Sequence, residues 1–208
     1  DIFLMDYQDK QESINVANPI PDAADPELGI VTNAASATIS GIELEIRAAL
    51  WDGGFVSIDY GTLSNEYDAF SYTDPVSGLL VDNVNDPIAD QTPDSTLNLG
   101  LEHEFQLGDG STLTPRLNIY SQEAVEYRTG ADNATGSTCL QPQYTKVGAR
   151  VTYVPAASNW QASVFGQNIT DQKILESCSG GRAAFYYRHE RPAYWGVEFV
   201  SRFGAGAN

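Results

Sequence analysis

The residues best suited to chemistry in this chain of 208 residues form one run: Phe185, Tyr186, Tyr187, Arg188, His189, Glu190 and Arg191. It is the densest aromatic and cationic stretch in a chain with 28 acidic and 11 basic residues and a formal net charge of -17. Rings of this kind stack on a flat chelate or on a sugar, and Arg or His meets an anion. The plainer alternative is a loop that packs on its neighbours and pairs with nearby carboxylates. Tyr127 and Arg128 form a smaller companion pair. For covalent chemistry the chain offers only His103 and His189, and it has no Gly-x-Ser-x-Gly, His-Glu-x-x-His or phosphate-cradling loop. No catalytic residue is assigned. Asp82-Asn83-Val84-Asn85-Asp86 spaces oxygen ligands as a calcium site does, but the glycine and closing glutamate of an EF-hand loop are missing. A solvated acidic loop is the preferred reading, and no metal or cofactor is assigned. The acidic balance excludes a nucleic-acid partner, because phosphate binding needs a basic surface.

These residues must be positioned by strands. Apolar residues alternate with polar ones at period two. Leu97, Leu99, Leu101, Phe105 and Leu107 share one register, with Asn98, Gly100, Glu102, Glu104 and Gln106 on the other. The split recurs at Ile42, Leu44 and Ile46, at Val147, Ala149, Val151 and Tyr153, and at Trp195, Val197, Phe199 and Phe203. The pattern predicts eight strands, near 1–9, 36–50, 54–68, 95–107, 112–128, 143–154, 159–171 and 193–203. Short Gly-, Asp-, Asn- and Pro-rich turns at 51–54, 108–110 and 155–159 alternate with long connections at 10–35, 69–94, 129–142 and 172–192. No apolar run reaches the roughly 18 residues a membrane helix needs. Strands of about ten residues, one greasy face and unequal connections are the pattern of an outer-membrane barrel, with short periplasmic turns and long external loops. Tyr60, Tyr67, Tyr120, Tyr127, Tyr153, Trp160, Tyr194 and Trp195 sit near strand ends and read as membrane-interface girdles.

Three stretches resemble TonB-dependent receptors. Val31 to Glu45, with Asn33-Ala34, Ala37, Gly41, Glu43 and Glu45, resembles that family's Asn-Ala-x-x-Ala-x-x-x-Gly-x-Glu-x-Glu strand. Trp160 through Asn168-Ile169-Thr170-Asp171 resembles its penultimate strand. Arg191-Pro192-Ala193-Tyr194-Trp195-Gly196-Val197-Glu198-Phe199 with Arg202-Phe203 resembles its closing strand, followed here by Gly204 to Asn208. The resemblance implies an all-β, transmembrane, antiparallel up-and-down barrel of roughly 22 strands in the bacterial outer membrane. Residues 1–208 would be its last eight strands, with the plug domain and earlier strands outside this chain. It implies active uptake of a siderophore, metal chelate, vitamin or oligosaccharide. The implied partners are TonB and its inner-membrane motor, outer-membrane lipid and lipopolysaccharide, and a small-molecule ligand.

Cys139 and Cys178 are too few for a disulfide scaffold. They fall in two long connections whose outer ends are neighbours, separated by two strands and a short turn. The expectation is a disulfide clamping those loops in an oxidising compartment, against two independent thiols. Two rivals remain for the whole chain: a complete eight-stranded barrel with an adhesive or structural role, and a secreted acidic β-sandwich that binds a ligand.

Overall fold

The computed structural model describes residues 1–20, 27–85, 92–127, 139–180 and 185–203. They hold fourteen strands: β1 (Ile2–Ala17), β2 (Glu27–Trp51), β3 (Gly54–Thr73), β4 (Leu80–Asp82), β5 (Ser95–His103), β6 (Phe105–Gln106), β7 (Thr112–Gln122), β8 (Val125–Glu126), β9 (Leu140–Gln141), β10 (Tyr144–Val154), β11 (Trp160–Gln167), β12 (Leu175–Gly180), β13 (Phe185–His189) and β14 (Tyr194–Ser201). Among the described residues there is no helix. One sheet runs β1-β2-β3-β5-β7-β10-β11-β14, with β4 beside β3 and β6 beside β7. Its eight principal strands are the eight predicted ones, and each follows its neighbour in chain order as an up-and-down meander. β1 and β14 end this order. The pairs β8-β9 and β12-β13 are separate hairpins.

The chain forms two compact units, Asp1–Ile42 with Leu63–Asp90, and Glu43–Thr62 with Gln91–Asn208. In the first, β1 and β2 pair from Ile2↔Ile42 out to Ala17↔Glu27. The predicted loop over 10–35 is therefore largely strand. Ile14, Val16, Ala35, Ala37, Tyr67 and Phe70 bury one another there, which gives the long hairpin its own apolar support. The small Ala37 is fully buried, and the Tyr67 and Phe70 rings pack 4.8 Å apart. Tyr67 donates to Glu12 Oε1 at 2.5 Å, and Lys10 pairs with Glu12. Asp9, with φ 54°, occupies the left-handed region where the register between β1 and β2 shifts, as at a β-bulge. The predicted loop over 69–94 begins later than expected, because β3 runs to Thr73 and β4 pairs back onto it. Asp74 Oδ1 accepts the amides of Val76 and Ser77 at the turn between them. Asp82 Oδ1 accepts the Val84 amide, while Asp86 lies outside the described residues.

In the second unit the register explains the alternation. Val56, Leu101, Leu117, Ala149, Gly166 and Trp195 line up across six strands. Ile58, Leu99, Ile119 and Val147 form the next row. None of the apolar side chains in these rows is in the buried core, and Leu101, Trp195, Val197 and Phe199 are exposed. Among the described residues this apolar face meets no second sheet, contrary to the β-sandwich reading. The opposite face carries Asp59, Asn98, Tyr120 and Lys146 in one row and Glu102, Arg116, Arg150, Phe165 and Gly196 in another. Trp160 stacks on Phe199 with ring centroids 5.4 Å apart on the apolar face. The girdle assignment fails for four tyrosines. Tyr67 is buried in the first unit. Register turns Tyr120 and Tyr194 to the polar face, and Tyr127 is half-buried beside Leu175.

The short turns are built as their residues dictate. Gly53 and Gly110 take φ of 73° and 80°, a region that suits glycine. Asp109 Oδ1 accepts from the Ser111 amide at 2.9 Å and hydroxyl at 2.5 Å. Those bonds favour the charged form and hold the Asp109 carboxyl below its usual pKa. Trp51 Nε1 donates to His103 Nδ1 at 2.8 Å, and His103 packs edge-on to Phe105 at 4.1 Å. His103 is thus occupied in an aromatic cluster.

Candidate functional site

Sequence places Lys146 on the polar register but does not say what it faces, and it reads Tyr120 as a girdle residue. The register sets them side by side on β7 and β10, and the long connections then fold over them. The segment after β11 sets the geometry. Asn168 (φ 48°) and Asp171 (φ 51°) both take the left-handed conformation, which Asn and Asp tolerate better than most residues. The strand predicted to reach residue 171 therefore stops at Gln167. Asn168 Oδ1 accepts the Gln172 amide at 2.9 Å, and its Nδ2 donates to Gln172 O at 2.9 Å and Arg191 O at 3.3 Å. Asp171 Oδ1 accepts the Ala193 amide at 2.9 Å, and the Glu190 amide donates to Ile174 O at 2.9 Å. Both strands of the β12-β13 hairpin are thereby tied at their base, where a plain loop over 172–192 was expected.

The result is a cavity of about 540 Å³ at the long-connection end of the polar face. Tyr120, Tyr127 and Tyr144 supply rings; Lys146 and Glu190 supply charge; Ile174 and Leu175 supply an apolar wall. The Lys146 ammonium lies 2.8 Å from Glu190 Oε2 and 5.9 Å from the Tyr120 ring centroid. Tyr120 and Tyr144 both donate to Gln122 Oε1, at 2.8 and 3.3 Å. Tyr127 donates to Leu175 O at 2.9 Å. Burial pushes the Tyr127 phenol above its ordinary pKa, and the negative charges of Glu190 and Glu176 add to the shift. A second cavity of about 370 Å³ adjoins it, lined by Gln167, Asn168, His189, Arg191 and Tyr194. Lys146, Glu176 and Glu190 line both. The arrangement offers flat rings, amide and hydroxyl groups and a paired ammonium and carboxylate. That suits non-covalent capture of a polar ligand with a flat face. Among the described residues no cluster of three metal-ligating side chains occurs.

The predicted site residues divide. Tyr127 lines the first cavity and His189 the second. Arg188 is turned to Glu176, with Nε 3.0 Å from Oε2. Tyr186 and Tyr187, 72% and 44% exposed, line neither cavity. Phe185 is described by its backbone alone, opposite Gly180, and Arg128 lies outside the described residues. Cys139 and Cys178 form a disulfide, with Cα atoms 5.7 Å apart. Next to it the Tyr127 amide donates to Cys139 O, and Gln141 Oε1 accepts the Leu175 amide. Tyr144, Gln122 and Asn98 were missed as lining residues. Their only signal was position on the polar register near a strand end.

Solved structures that share this fold include three receptors. The ferric yersiniabactin uptake receptor FyuA from Yersinia pestis matches with TM-score 0.62 and 16% identity over 84% of this chain and 25% of that one. The siderophore receptor PiuA from Acinetobacter baumannii matches with TM-score 0.63 and 17% identity over 95% and 24%. The ferric preacinetobactin receptor BauA from Acinetobacter baumannii matches with TM-score 0.58 and 17% identity over 95% and 26%. The chain thus spans about a quarter of each solved receptor. No curated protein matches it. The family model described as TonB dependent receptor-like, beta-barrel, matches residues 1–169. With that match over most of its length, and with the meander of two-faced strands that such a barrel requires, the chain belongs to the TonB-dependent receptor-like β-barrel family.

Proposed function

We propose that this chain supplies wall and capture surface to an outer-membrane transporter that takes up a scarce nutrient, in the manner of the siderophore receptors whose fold it shares. In this reading the apolar rows face lipid and the polar rows face a wet interior. The long connections lie outside the cell. A charge at mid-bilayer costs about 2–4 kcal/mol when basic, so Arg116, Arg150 and Lys146 belong on the inner face. The tyrosine cavity is the first holding place for the ligand: a siderophore, metal chelate, vitamin or oligosaccharide. TonB and its inner-membrane motor would act through parts of the receptor outside this chain. The chain performs no covalent step.

The observation that carries this reading is the register-aligned apolar face, left uncovered among the described residues, opposite a polar face whose cavity opens among the long connections. The test is uptake by cells making the full-length protein, against the same cells without TonB. Ferric chelates, cobalamin and oligosaccharides are supplied one at a time. The expected result is saturable uptake of one class, lost without TonB. A protein recovered from the soluble fraction without detergent, or cells that take up none of these in a TonB-dependent way, would overturn it.

A further inference from the structure

Asn168 is only 2% exposed, takes a strained backbone conformation and makes three hydrogen bonds, yet it contributes neither ring nor charge to the tyrosine cavity. One of its bonds reaches across to Arg191 O, directly after Glu190. The Glu190 amide is held from the other side by Ile174 O. Backbone freedom at Glu190 is therefore removed from both directions, and its carboxylate is set against Lys146 between the two cavities. Lys146 and Glu190 are half-buried, and an ion pair that solvent still reaches holds itself together weakly, because long side chains lose entropy in pairing. Here the backbone does the holding.

We infer that Asn168 is a positioning residue: it places Glu190 and so fixes the Lys146–Glu190 pair that lines both the aromatic cavity and the polar one. Its Nδ2 donates into both strands of the hairpin base, and its Oδ1 accepts the amide that turns the chain. An aliphatic residue would leave those groups unpaired in a buried place. Aspartate would put a charge there. Glycine keeps the left-handed backbone without strain and removes only the side-chain bonds.

This role concerns the cavity named in the proposed function, but its test needs no transport. The full-length receptor in detergent is treated with N-hydroxysuccinimide acetate, and acetylation of each lysine is followed by mass spectrometry. In Asn168→Gly, Lys146 should acetylate several-fold faster than in the parent protein, approaching the rate in Glu190→Gln. Lys10, paired with Glu12 in the other unit, should keep its parent rate. Asn168→Gly at the parent rate on Lys146, with Glu190→Gln accelerated, would overturn the inference. Equal acceleration at Lys10 and Lys146 would also overturn it, since that reports general loosening. A receptor that shows the local effect but transports nothing leaves the positioning role standing and removes only the transport reading.

Discussion

Val197→Arg separates a lipid-facing strand from a water-facing one by a margin the structure sets. Val197 is 77% exposed and continues the row Val151, Val164, Val197 across β10, β11 and β14. It lies near the middle of β14, which runs Tyr194–Ser201. At about 3.3 Å per residue and a tilt near 45°, each residue climbs roughly 2.3 Å. Val197 then sits about 9 Å above the strand's lower end, close to the centre of an apolar band about 25 Å tall. An arginine there costs roughly 2–4 kcal/mol. If the same side chain faced water, so exposed a substitution would change stability by no more than about 0.5 kcal/mol. Phe203→Arg, beyond the strand end, should cost only about 0–1 kcal/mol. Gln161→Arg, on the polar register of β11, should stay within about 1 kcal/mol. The assay is guanidinium unfolding of the full-length receptor in phosphatidylcholine vesicles, followed by tryptophan fluorescence. Equal stability of Val197→Arg and the parent would refute the lipid-facing assignment of the whole apolar row.

Two further outcomes test the short turns. Gly53→Ala adds a Cβ 2.5 Å from the Glu104 backbone oxygen at φ 73°, so it should lose roughly 1–3 kcal/mol in the same assay, whereas Gly108→Ala, whose added Cβ meets nothing within 4 Å, should lose much less. Asp109 has its pKa lowered by Ser111, so its contribution is present above the unfolded value of about 3.9 and fades as pH falls through the lower native value. Asp109→Ala should therefore destabilise the protein at neutral pH and converge with the parent at strongly acid pH; a constant difference across that range would refute the assignment.

Strand content was legible because burial on one side writes itself as alternation. Leu97, Leu99 and Leu101 show it, and so do Trp195, Val197 and Phe199. The turns were legible because Gly53, Gly110 and Asp109 have local reasons to be where they are. Two things were hidden. The outer half of the β1-β2 hairpin reads as polar loop, since Glu12, Asn15 and Asn18 break the pattern. Its support comes from Tyr67 and Phe70, thirty or more positions away in the chain. The cavity was hidden for a related reason. It is assembled across strands, and a one-residue slip in register would send Tyr120 and Lys146 to the other face. The run at 185–191 drew notice by composition. Tyr186 and Tyr187 nevertheless line neither cavity, while Glu190, one acid within that aromatic and cationic run, lines both.

The charges of the polar face settle what kind of interior they can tolerate. β7 and β10 set Arg116 directly opposite Arg150, and like charges so placed repel. Each arginine has an acid on its far side. Glu102 Oε2 lies 3.9 Å from Arg116, and Glu198 pairs with Arg150. Arg150 also donates to Ser163 Oγ at 2.9 Å and lies 5.6 Å from the Phe165 ring centroid. The side chains in these pairs are between 32% and 50% exposed. Pairs that open to solvent contribute about 0–1 kcal/mol each, so they are not what holds the sheet together. In a dry core the same constellation would carry a desolvation cost of several kcal/mol per ion. Four charges, of which Arg116 and Glu102 are only loosely paired, are therefore affordable where water reaches them. The opposite face of the same strands, Leu117 and Ala149 among them, carries no charge at these positions. Paired charges on the polar side, with none at the facing positions of the same strands, are what a barrel wall around an aqueous interior requires.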